Sequence, residues 1–106
     1  MKTKVYFSQP MHGKDKETIL KERESAVKHF EEQGFEVINN VFDLEPDKKP
    51  LYYLIKSLEL MQDAEVVYFF PGWEFARGCR IEHQVALSYG KFVCEVNDDE
   101  QPRKGN

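Results

Sequence analysis

Residues 71–90, PGWEFARGCRIEHQVALSYG, follow the most apolar run of the chain, 66–70 (VVYFF), and pass from a Pro-Gly loop into a helical pattern. A short apolar strand that feeds a loop and then a helix is the repeating unit of an α/β fold. Glu82 lies at the centre of the stretch. A helix beginning near Gly78 puts Gly78, Val85, Ala86 and Tyr89 on Glu82's side, at helical spacing. That stripe is mostly apolar, and burying an unpaired carboxylate in it costs roughly several kcal/mol. Three arrangements answer the problem: a functional carboxylate, a pair with Arg77 or Arg80, or a helix start one residue away that turns Glu82 to solvent.

The same unit recurs on either side. Lys4, Val5, Tyr6, Phe7 and Ser8 form a short β-rich run that suits a first, central strand. Asp15 can cap a helix with Ile19, Leu20, Ala26, Val27 and Phe30 at helical spacing, and Gly34 stands where it should stop. Residues 35–38 read as a second strand, and 39–49 as a polar connection. Pro50 suits the first turn of a helix with Leu51, Leu54, Ile55, Leu58 and Met61 on one side. Residues 92–96 make a fourth strand. The order βαβαβαβ predicts a three-layer α/β/α domain over residues 1–96, flavodoxin- or Rossmann-like, with a four- to five-stranded parallel sheet and right-handed crossovers. Residues 97–106 are polar and read as a flexible tail. Ligands of such sheets sit beyond the carboxyl ends of the strands, so the loops to inspect are 8–14, 39–49 and 71–80.

A chain of 106 residues with 41% hydrophobic and 32% charged residues supports one folded domain. The net charge is −4, and the scattered lysines and arginines form no stripe for nucleic acid. No segment is apolar enough for a signal peptide or a membrane span, so the expectation is a cytoplasmic protein bound to no membrane. Cys79 and Cys94 lack a CxxC spacing and read as free, partly buried thiols.

Residues 8–14, which include Ser8, Gln9, Pro10, Met11 and Gly13, match neither a Walker loop nor a GxGxxG fingerprint, so classical NTPase and dinucleotide readings fall away. Gly13 still permits close approach beside a helix start, where an anion is favoured; an ordinary β-to-α turn explains it equally. Cys79 and His83 are spaced as two metal ligands can be, but two ligands do not make a site, and no metal or cofactor is expected. Arg77 can hold a phosphate or carboxylate, or be solvated. Trp73 and Phe75 can stack on a base or form a subunit contact.

Three segments, KVYFSQPMHG at 4–13, DAEVVYFFPGWEFARG at 63–78 and CRIEHQVALSYGK at 79–91, resemble the nucleoside 2-deoxyribosyltransferase superfamily. The likeness is closest to a small branch of unknown function, which carries a YxxGPMxG-like first loop and a PGWxxSxGAxxE-like segment, and it runs from about residue 4 to 95. It implies cleavage of an N-glycosidic bond of a nucleoside or nucleotide, with Glu82 as nucleophile and Tyr6 placing its carboxylate. It also implies a sugar-contacting loop around Gly78; Gly72 is a further candidate for substrate contact, and the aromatic area of Trp73, Phe75, Tyr52 and Tyr53, together with the association of relatives, leads to the expectation of a homodimer or higher homo-oligomer. The chain departs from the pattern at three points. Ser57 stands at a common aspartate, Gln9 at a glycine, and Ala76 at a phosphate-binding serine. A non-catalytic module that binds a nucleotide or its derivative on the same scaffold is the alternative the departures leave open.

Overall fold

A computed structural model describes residues 2–38, 47–95 and the backbone of 103–104. Its elements are β1 (Lys4–Ser8), α1 (Lys16–Glu32), β2 (Glu36–Val37), α2 (Pro50–Met61), β3 (Val66–Phe69), α3 (Arg77–Ser88), β4 (Phe92–Glu95) and β5 (Arg103–Lys104). A turn of 3-10 helix, Trp73–Phe75, leads into α3. The sheet order is β2-β1-β3-β4-β5. The first four strands are parallel, with β1 between β2 and β3 and with Tyr6 opposite Val67 and Ser8 opposite Phe69. The expected three-layer α/β/α fold is therefore present, and its switch in strand order falls beside β1.

Alternation along the strands divides the core into two faces. Val5, Phe7, Val66, Phe70 and Cys94 point to one side and pack with Phe30 of α1. Tyr6, Val67, Phe69 and Val93 point to the other and meet Met61 of α2 and Ala86 of α3. The first face is an aromatic block in which Phe7 lies 5.5 Å from Phe30 and 5.3 Å from Phe70, ring to ring. Arg23 of α1 is buried in that block; its guanidinium sits 5.0 Å from the centre of the Phe7 ring and donates from Nη2 to the Ile38 carbonyl at 3.1 Å.

The helix boundaries follow local chemistry. Asp15 accepts from the Thr18 amide at 2.8 Å and caps α1, while Gly34, at φ 92°, ends the helix in a left-handed turn that a side chain would strain. Pro50 opens α2 without wasting an amide.

Three expectations need correction. The apolar side of α2 is not buried as a unit: Met61 is buried, whereas Leu51 and Ile55 are 63% and 49% exposed, because the helix is apolar around most of its circumference and only one edge reaches the sheet. Tyr89 does not share Glu82's stripe. Helix α3 ends at Ser88, and Tyr89 leaves helical geometry and is 78% exposed. The tail is not loose throughout, since Arg103 and Lys104 pair antiparallel with Val93 and Phe92. An edge strand offers unpaired backbone groups to any neighbouring chain, and a count of apolar side chains does not register that attraction. The connection read over 39–49 lies outside the described residues at 39–46, as do 96–102 and 105–106 in and before the tail.

Candidate active site

Period-two alternation puts Tyr6 and Ser8 on the same face of β1, at its carboxyl end, and α3 lays Glu82 over both. The Tyr6 hydroxyl donates to Glu82 Oε2 at 3.2 Å and the Ser8 hydroxyl to Oε1 at 2.5 Å. A third hydroxyl, that of Ser57 on α2, also favours the ionised carboxylate. Glu82 is 5% exposed. Burial raises its pKa above the ordinary carboxylate value, and the hydroxyls of Ser8, Tyr6 and Ser57 oppose that rise. Among the described residues no arginine, lysine or histidine pairs with it. Of the three arrangements, neither the pairing with Arg77 or Arg80 nor the turn to solvent is found among the described residues: Glu82 is buried and accepts from neutral hydroxyls. Arg80 turns instead to the Glu74 carbonyl at 3.1 Å, and Arg77 is exposed.

Cys79, one turn before Glu82, completes the shell. Its thiol lies against Ser8 and is pushed up to about 11, chiefly by burial, with the Ser8 hydrogen bond pulling the other way. A thiol held there is protonated at neutral pH and is a poor nucleophile. Its partner in the supposed metal pair goes elsewhere. His83 stacks on Trp73 at 4.1 Å between ring centres, meets Phe69 edge-on, and joins Glu95 Oε2 through Nε2 at 2.8 Å. Among the described residues no group of three or more His, Cys, Asp or Glu is placed to hold a metal ion.

The other site residues divide into those at the carboxylate's end of the sheet and those facing away. Pro10 and Gly72 bring the first and third loops together; a Cβ added at Gly72 would lie 3.9 Å from Pro10 Cγ, and Gly72 itself adopts φ 89°. Met11 and Gly13 are exposed on the first loop, and Gly78 lies in the first turn of α3. Gln9 turns away from Glu82. Its amide donates to the Ile19 carbonyl at 2.9 Å and to Glu22 at 3.2 Å, fastening the end of β1 to α1. Trp73 has one ring face closed by His83, whereas Phe75 is 88% exposed. Ser8, which the sequence places at the end of the first strand and the start of the first loop, closes β1 and donates to the carboxylate. The signal was there in the two-residue spacing of Tyr6 and Ser8. The His83, Glu95 and Trp73 cluster joins residues far apart in the chain, and no local pattern announces it.

Fold and site together define a small α/β protein with a buried, hydroxyl-held carboxylate at the carboxyl end of its central strand. The chain belongs to the family described as Domain of unknown function (DUF4406), whose model matches residues 3–95. No curated protein and no solved structure matches it.

Proposed function

We propose that this protein is an N-glycosidase or deoxyribosyltransferase that acts on a nucleoside or nucleotide, with Glu82 as nucleophile and Tyr6 and Ser8 as the groups that orient it. The carrying observation is a buried carboxylate with a hydroxyl on each oxygen and, among the described residues, no cation paired with it. An arginine partner would neutralise such a group. Hydroxyls hold it in place, favour its ionised form, and leave lone pairs for an incoming carbon. When a base leaves a sugar, positive charge develops at the anomeric carbon, and a carboxylate close by stabilises that charge or captures it as a covalent ester. Water or a second base then takes the sugar. The resemblance of the segments around Tyr6 and Glu82 to nucleoside 2-deoxyribosyltransferases supports the same reading.

The first and third loops approach each other at Pro10 and Gly72, and substrate contacts are proposed for Pro10, Met11, Gly13, Gly72, Trp73, Arg77 and Gly78. Two buried cysteines outside any disulfide suit a reducing cytoplasm. The exposed Leu51 and Ile55 of α2 form an apolar patch suited to a second copy of the chain. The test is release of free base from a panel of nucleosides and their monophosphates. Wild type releases base, and Glu82→Gln lowers the rate by about 10³-fold or more while the fold stays intact, since nucleophile removal in such enzymes costs on that order. Tight nucleotide binding without release would instead support a non-catalytic binding module.

A further inference from the structure

Breaking a glycosidic bond makes two demands: charge stabilisation on the sugar and a destination for the electron pair left on the base. A neutral purine or pyrimidine meets the second by taking up a proton as it leaves, and a positioned acid that supplies it contributes about 10²–10⁴-fold. The shell around Glu82 is made differently. Tyr6 directs its hydroxyl to Oε2 and Ser8 to Oε1, Ser57 adds a third hydroxyl, and the Cys79 thiol lies against Ser8. A hydroxyl carries one proton, and one aimed at a carboxylate is not aimed at a base on the far side of the sugar. Among the described residues the one carboxyl group of the shell is the nucleophile itself.

Resting on the reading of Glu82 as nucleophile, we infer that the site takes a substrate whose base is already cationic at the glycosidic nitrogen, such as a pyridinium nucleoside or nucleotide. Such a base needs no proton. A Glu82 oxygen bonds to the anomeric carbon, the carbon–nitrogen bond breaks, and its electron pair neutralises the ring nitrogen as the base departs. Water then attacks the anomeric carbon, the ester bond to Glu82 breaks, the carboxylate is restored, and one proton passes to bulk water. Cationic substrate and water become neutral base, free sugar and a proton. The shell thus spends its three hydroxyls on keeping the nucleophile ionised and in place.

The test compares base release from nicotinamide 2′-deoxyriboside and nicotinamide riboside with release from 2′-deoxyguanosine, 2′-deoxyuridine and their monophosphates, after subtraction of spontaneous hydrolysis. The expected result is release from the cationic substrates alone. Their kcat/KM should rise with the ionisation of Glu82 and then stay level to about pH 9, because no acid has to remain protonated. Three of the groups elsewhere in the chain that could act as acids are tested by substitution: His12 on the exposed first loop, and Asp43 and Glu45 in a segment outside the described residues. His12→Ala, Asp43→Asn and Glu45→Gln should each leave cationic cleavage unchanged, while Glu82→Gln abolishes it. Release from the neutral deoxynucleosides within tenfold of the cationic ones overturns the inference and leaves the glycosidase reading standing. A falling alkaline limb that disappears in one of the three variants overturns it in the same way. Release from no substrate overturns both.

Discussion

The two faces of the sheet each bury one ion without a counter-ion among the described residues, and they treat it in opposite ways. Arg23, on the α1 face, lies over the Phe7 ring and donates to the Ile38 carbonyl, while its Nη1 has no hydrogen-bond partner among the described residues. Burial lowers its pKa from the usual guanidinium value. Glu82, on the α2 and α3 face, has a hydroxyl on each oxygen, one of them from Ser8 at the carboxyl end of β1. A buried charge alone therefore does not mark a site. Arg23 lies over an aromatic block and fastens α1 to the end of β2. Glu82 is held by neutral hydroxyls, one of them at the carboxyl end of β1, the side of the sheet where α/β proteins bind ligands.

The contrast breaks most visibly on the aromatic side. Phe7→Ala removes a fully buried ring between Phe30 and Phe70 and should destabilise the domain by about 3–5 kcal/mol, read as a fall in the midpoint of urea unfolding. A smaller effect is expected from Arg23→Met, which keeps length and removes the orphaned donor. Stability should stay within about 1–2 kcal/mol of wild type, on the stabilising side, and base release should be unchanged. An Arg23→Met protein that folded well but lost activity would erase the division between the faces.

The smallest effect has a sign that depends on pH. The pKa of Glu82 is raised in the folded state, so the folded chain holds that proton more tightly than the unfolded chain does. The resulting stability is fully present below the unfolded value, near 4.5, and is lost as pH rises through the higher folded value. Glu82→Gln does not titrate and escapes this loss. Its melting temperature relative to wild type should climb from pH 4 towards pH 8, and a constant difference across that range would mean that the group is not desolvated.

Most of this architecture is legible in the residues. The apolar run 66–70 gives a strand covered on both sides, Asp15 and Pro50 mark helix starts, and the order of elements leads to a parallel sheet with β1 inside. The orientation of α2 is less legible, because a helix apolar around most of its surface gives no periodic signal for the edge that docks. β5 was missed because backbone pairing does not depend on side-chain hydrophobicity. Glu82 stood out as a charge on an apolar stripe. Of its partners, Tyr6 comes with the family resemblance, whereas Ser8 and Ser57 reach Glu82 only through long-range packing, and the nearby arginines are the obvious local candidates.

The central claim is that Glu82 is a desolvated carboxylate held by hydroxyls, and its own titration tests this most directly. Carboxyl ¹³C NMR of glutamate-labelled protein, with the Glu82 resonance assigned by its absence in Glu82→Gln, reports that titration without requiring any substrate. The account predicts a midpoint above 4.5 in wild type, moving higher still in Tyr6→Phe and in Ser8→Ala as each donor to the ionised form is removed. A midpoint at or below 4.5, or one that neither substitution moves, would contradict it.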